Sequence, residues 1–198
     1  MESKKRTLEL TFFFVGKNMA KKAIKINLFD GGKSLQQAIR QIEQYKNDLP
    51  RKCEEICRRL SKIGQQAAFV AINEVPQGKA VTLRMDIDSS KIGCKAMLIA
   101  TGKTVTDSDG RSFNLLMAIE FGAGIRYNPK SNPKASEFGM GVGTFPEQTH
   151  AFDSNGWYYL GEDGEWHHSY GVKATMPMYK AGIEIRKNID EVVREVFK

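Results

Sequence analysis

The chain has 198 residues, with 30 Lys and Arg against 23 Asp and Glu, a formal charge of +7 and three cysteines. That length gives one domain, or one domain with an extension, able to bury a sizeable core, and an odd cysteine count without CxxC spacing excludes a disulfide framework and fits a reducing cytosol. The charge says less than its size suggests: residues 1–25 hold seven Lys or Arg against Glu2 and Glu9, a net of +5, and the remainder is only mildly basic.

In chain order, Lys4, Lys5 and Arg6 precede the apolar run LELTFFFV at residues 8–15. The run is too short for a bilayer span, and no small-residue cleavage site follows it, so a signal peptide is not expected. Met19 opens MAKKAIKINLF, which looks like a protein start. Residues 1–18 therefore read as a basic and apolar extension, and residues 19–198 as a single α+β domain. Residues 23–29 alternate Ile24, Ile26 and Leu28 with Lys25 and Asn27, a strand pattern closed by the turn Asp30-Gly31-Gly32. Ser34 is the expected cap of a helix to Asn47, with Leu35, Ala38, Ile39 and Ile42 on one face. Leu49-Pro50 predicts a break or kink, because proline lacks the amide donor and restricts its predecessor. A second helix is expected over residues 50–73, apolar at Cys53, Ile56, Cys57, Leu60 and Ile63 and charged on the other face. Residues 81–87 and 95–101 read as two strands of a hairpin around Asp88-Ser89-Ser90-Lys91. Residues 113–121 predict a short helix ended by Gly122 as a left-handed cap.

Residues 119–177 are rich in glycine and aromatics. Disordered tracts are poor in aromatics, so a loop holding Phe121, Tyr127, Phe138, Phe145, Phe152, Trp157, Tyr158, Tyr159, Trp166 and Tyr170 is expected to order against its own domain or a partner. Its irregular part covers 122–156, and deletion of 128–146 is expected to leave a folded domain. Gly161-Glu162-Asp163-Gly164, between residues 157–160 and 165–170, predicts a hairpin. Alternation along that hairpin gives one face to the core and one to a contact surface, since Trp and Tyr dominate interface hot spots. Thr175 is the expected cap of a last helix, with Pro177 in its first turn and Ile185, Ile189, Val192, Val193 and Val196 as its apolar stripe.

No catalytic constellation emerges from these residues. His167 and His168 would point to opposite faces of a strand, and His150 is remote in sequence, so neither metal nor cofactor is expected. Asp107-Ser108-Asp109-Gly110 begins like a calcium loop, but Ala118 stands at its twelfth position where glutamate is required. Gly139, Gly141 and Gly143 lack the Lys-Ser/Thr of a phosphate loop. Cys53 and Cys57 lie one helical turn apart with no further ligand nearby in sequence, and read as structural thiols. Glu120 ends an apolar helix and is expected to be buried in a hydrogen bond or ion pair, with Arg126 as a candidate partner.

The order of elements, with Met117-Ala118-Ile119-Glu120-Phe121-Gly122-Ala123-Gly124, His150-Ala151-Phe152-Asp153-Ser154-Asn155-Gly156-Trp157-Tyr158-Tyr159 and Gly171-Val172-Lys173-Ala174-Thr175-Met176-Pro177-Met178-Tyr179, resembles the tail-completion or head-to-tail joining (neck) proteins of long-tailed bacteriophages and prophages. The resemblance covers residues 19–198 in element order and is specific in 117–179. It implies a small antiparallel sheet packed with a long N-terminal helix and a C-terminal helix, plus a long aromatic, glycine-rich loop and hairpin insertion. It implies a virion structural protein rather than an enzyme, present in the host cytoplasm during assembly. The family role is a homo-oligomeric ring, six-fold to match the tail, between the head connector and the tail terminator or tail tube, with DNA passing through the lumen and no membrane partner. Glu120, Phe121, Gly122, Gly124 and Pro177 are then structural motif residues. Arg126, Tyr127, Phe138, Phe145, Phe152, Trp157, Tyr158 and Trp166 become candidate contacts to a neighbouring subunit or neck partner, and Arg126, Lys130 and Lys134 candidate lumen residues. Two other readings stand beside it: a nucleic-acid-binding protein using the basic N-terminal arm and the aromatic hairpin, and a small hydrolase or nuclease using His150, His167 or His168.

Overall fold

The computed structural model describes residues 32–90, 93–107, 110, 112–126, 132–140, 153–161 and 163–198. The strand expected at 23–29 and the extension at 1–18 lie outside them. The architecture is α+β: a long first helix, small antiparallel sheets and a C-terminal helix.

Helix α1 runs unbroken from Lys33 to Ile72, 40 residues, with Pro50 inside it. This corrects the expected break. Proline deletes one donor from a ladder of some forty, and side chains brace the turn around it. Asp48 takes Arg51 at 2.8 Å and Lys52 at 3.9 Å, so ion pairs straddle the proline. The N-cap is Gly32 rather than Ser34: its φ of +85° sits in the left-handed region, and its carbonyl accepts the Gln36 amide at 3.0 Å. At the other end the Asn73 side chain donates to the Phe69 carbonyl at 2.9 Å.

Strands β1 (Val81–Ser90) and β2 (Gly93–Gly102) form the expected antiparallel hairpin, in register from Val81 opposite Gly102 to Ser90 opposite Gly93, but Asp88, Ser89 and Ser90, expected in the turn, belong to β1 and pair with Lys95, Cys94 and Gly93. Leu98 and Ala100 of β2 pack with Ala68 of α1, with Leu116, and with Met178 and Ala181. These last two belong to helix α3 (Pro177–Val196). Farther along, Ile56 and Leu60 of α1 meet Ile185 and Val192 of α3 in a second cluster that Ile63, Ile189, Val193, Val196 and Phe197 border. The two helices are therefore antiparallel, and α3 ends beside Lys52, whose ammonium lies 4.9 Å from the Phe197 ring centroid. Each such Leu or Ile, fully buried, contributes roughly 1.5–3 kcal/mol.

A four-stranded antiparallel sheet holds β3 (Thr104–Asp107), β4 (Ser112–Asn114), β6 (Trp157–Leu160) and β7 (Trp166–Ser169) in the order β4-β3-β6-β7. The helix expected from residue 113 starts later, as α2 (Leu115–Phe121). Phe113 and Asn114 belong to β4, because the Asn114 side chain accepts the Leu116 amide at 2.9 Å and donates to the Gly102 carbonyl at 2.9 Å, fixing the cap. Two further short strands, β5 (Ala123–Gly124) and β8 (Gly171–Val172), pair antiparallel and tie the end of α2 to the approach of α3.

Candidate functional site

Glu120 is the last residue but one of α2 and is 2 % exposed. Its Oε2 accepts the Met178 amide at 2.8 Å, and its Oε1 accepts the Tyr179 amide at 3.0 Å and Asn132 Nδ2 at 3.0 Å. Those amides follow Pro177 in the first turn of α3, so the carboxylate caps a helix from 58 residues upstream in the chain. This overturns two expectations. The cap residue by position is Met176, at φ 54° and ψ 52° and with no side-chain bond, while the Thr175 hydroxyl is buried without a hydrogen bond. The Thr175 amide instead donates to the Ile119 carbonyl at 2.8 Å. Arg126 is not a partner of Glu120; it lies exposed beyond β5. Burial pushes the Glu120 carboxyl above the usual range, against the opposing pull of the Met178 and Tyr179 amides, Asn132 and the Lys180 charge.

The next residues of the motif each have a packing reason. Phe121 is buried with Met117, Ala135 and Met140, and its ring lies 5.6 Å from that of the half-exposed Phe138. Gly122 has φ +83° and ψ 163°, which is not the left-handed cap expected but an extended positive-φ conformation that only glycine adopts readily. Gly124 has φ +65°, and a Cβ there would strike the Trp157 ring. Residues 132–140 are thus part of the chain's own packing, through Asn132 on Glu120 and through Ala135 and Met140 on Phe121.

The aromatic hairpin divides by face. Tyr158 lies opposite His168, Leu160 opposite Trp166, and Trp157 opposite Ser169. Trp157 points inward, 9 % exposed, and packs with Ala118, Ile119, Ala123 and Val172. The outer face shows Tyr158 at 56 % and Trp166 at 54 % exposure, with Leu160 and Tyr170 also largely open. His168 lies between Tyr158, tilted at 4.7 Å between centroids, and Tyr170, edge-on at 4.6 Å, which stiffens the face. On the inner side His167 lies against Tyr159 and pairs with Asp163 at 2.9 Å; the His167 hydrogen bond holds the Asp163 carboxyl below the usual range.

Of the sequence-derived contact residues, Tyr158 and Trp166 share this outer face, the half-exposed Phe138 lies against Phe121, and Trp157 is a core side chain of the chain itself. Tyr127, Phe145 and Phe152 lie outside the described residues, as do Lys130, His150 and the glycines at 141 and 143. Lys134 pairs with Glu137 at 3.2 Å. Leu160, His168 and Tyr170 join the outer face; the phase of the strand alternation carried that signal. Asn132 carried none. The thiols gather where sequence kept them apart: Cys57 Sγ lies 3.5 Å from the Cys94 carbonyl, and burial and the neighbouring Cys94 push its pKa up to about 12. Among the described residues no group of His, Cys, Asp and Glu is placed to hold a metal ion, and no helix is long and apolar enough to cross a membrane. No family model, curated protein or solved structure matches this chain.

Proposed function

We propose that the chain is a virion structural protein of the phage head–tail junction, a neck or tail-completion component that forms or joins a ring connecting the DNA-filled head to the tail. The observation that carries this reading is the two-faced hairpin. Its inner face is sewn into the core through Trp157, while its outer face leaves Tyr158, Leu160, Trp166 and Tyr170 open to solvent. A rigid aromatic face of this kind loses little side-chain entropy on docking and is typical of protein contacts. The Glu120 cap and the β5–β8 pair hold the elements that lead into it. The motif residues thereby act as struts, which fits an assembly protein better than a catalyst.

The test is binding of the purified protein to DNA-filled, tail-less heads of the encoding phage, followed by addition of free tails. Sedimentation with the heads and recovery of infectious particles is the expected result. A folded protein that neither binds heads nor restores joining would sink the proposal.

A further inference from the structure

One face of β2 runs alongside α1, and the seam between them ends on a pair of thiols. Leu98 and Ala100 pack on Ala68 of the helix. One turn earlier in α1 lies Gly64, where a Cβ would meet Leu98 Cδ2 at 3.4 Å. Two residues before Leu98 in β2 comes the buried Ala96, and two before that Cys94, all on one face of the strand. Three residues before Gly64 in α1 comes the buried Ser61, and four before that Cys57, all on one stripe of the helix. The two rows converge there: Cys57 Sγ lies 3.5 Å from the Cys94 carbonyl.

All three cysteines carry free thiols and are half-buried, so none is sealed in the core. Cys94 pairs across the hairpin with Ser89, whose hydroxyl lies 3.6 Å from its sulfur. Cys53 stands one helical turn before Cys57 and feels Cys94 as well. Burial first, and then the neighbouring Cys94, push Cys57 up to about 12, so at neutral pH it is a protonated thiol. Glu54, the carboxylate between the two helical cysteines, is bound by Arg58 at 2.7 Å.

We propose that Cys57 and Cys94 are an oxidation site at which a hydroperoxide closes a disulfide, fastening the tip of the β1–β2 hairpin to α1. Cys94 attacks the peroxide, the O–O bond breaks, and the products are Cys94 sulfenic acid and water (an alcohol from an organic peroxide). The Cys57 sulfur then displaces the sulfenic hydroxyl as water, and the S–S bond forms. Two thiols are oxidised and one peroxide is reduced, with no other reactant. Rotation of the two side chains brings the sulfurs together while α1 and β2 keep their packing. The bond closes the chain from Cys57 to Cys94, which restricts the unfolded chain and stabilises the folded one. In a reducing compartment the pair stays open and the chain folds without it. This inference stands apart from the neck reading, since it concerns only how two elements of one chain are joined.

The test treats the full, reduced chain with hydrogen peroxide, blocks remaining thiols with an alkylating reagent under denaturing conditions, and maps the peptides by mass spectrometry. The expected product carries a Cys57–Cys94 bond and a single alkylated cysteine, Cys53. Its melting temperature is expected to lie several degrees above that of the reduced chain and to return on addition of dithiothreitol. Cys53→Ser is expected to form the same bond, and Cys94→Ser to form none and to show no peroxide-induced rise in melting temperature. Circular dichroism confirms folding, with Cys94→Ala substituted if the serine variant unfolds; the wild-type peptide map needs no variant. Three alkylated cysteines after peroxide, a bond that uses Cys53, a bond between two chains, or a Cys57–Cys94 bond that leaves the melting temperature unchanged or lowers it overturns the proposal.

Discussion

Burying a carboxylate is costly unless protein donors replace its water, and Glu120 has three of them in Met178, Tyr179 and Asn132. Removing the acceptor by Glu120→Ala leaves the Met178 and Tyr179 amides without their side-chain acceptor and Asn132 Nδ2 with only the Glu120 carbonyl at 3.4 Å, and is expected to cost about 1–3 kcal/mol, read as a lower urea midpoint. The carboxyl also makes a pH signature. Its folded pKa is raised, so the folded chain keeps a proton that the unfolded chain has released. The wild type is therefore most stable, relative to Glu120→Gln, below the unfolded glutamate pKa of about 4.3, and loses ground as pH rises through the folded pKa. Urea titrations of both proteins from pH 4 to 8 check the sign; a gap that grows in favour of the wild type with rising pH would mean that the amide donors outweigh desolvation. A buried role for Glu120 was legible in the sequence, because a carboxylate closing an apolar helix must find donors. Its partners were not: Arg126 is near in sequence, whereas the amides that bind it are brought in by a helix 58 residues away.

At the scale of elements, what the sequence disclosed depended on how many periods an element spans. The 40-residue α1, the ten-residue strands β1 and β2 and the 20-residue α3 repeat their patterns often enough to be read. Strands β5 and β8, two residues each, complete a single period and leave no pattern. β4 was taken into the following helix because Phe113 suits both, and only the Asn114 cap separates them. Pro50 misled for a different reason. Its local preference against helix interiors is real, but a helix already propagated on both sides and braced by Asp48 overrides it. Pro50→Ala restores a donor for the Lys46 carbonyl and removes a steric clash. It is expected to raise the local opening free energy of residues 47–53 by roughly 1–3 kcal/mol, measured by native-state hydrogen exchange. Faster exchange in the variant would show that the turn at Pro50 is not strained.

Over the whole molecule, the two tryptophans allow folding to be tested apart from the proposed assembly role. The loop shows why a deletion cannot do this: removing 128–146 takes Asn132 from Glu120 and Ala135 and Met140 from Phe121, so the shortened chain, expected from the sequence to stay folded, is expected to melt several degrees lower than the full one. Trp157 and Trp166 lie nine positions apart on adjacent strands, one inside and one outside. Trp157→Ala opens a cavity beside Ala118, Ile119 and Val172 and is expected to cost about 3–5 kcal/mol, a large share of a domain's whole stability. Replacing Tyr158 and Trp166 together by serine removes exposed area, so the melting temperature should stay within a few degrees of the wild type. If the outer face is a neck contact, that double variant folds and still fails to join heads to tails, leaving separate filled heads and free tails in the lysate. Normal virion yield from a folded double variant would move the contact off the hairpin, whatever the fate of Trp157→Ala.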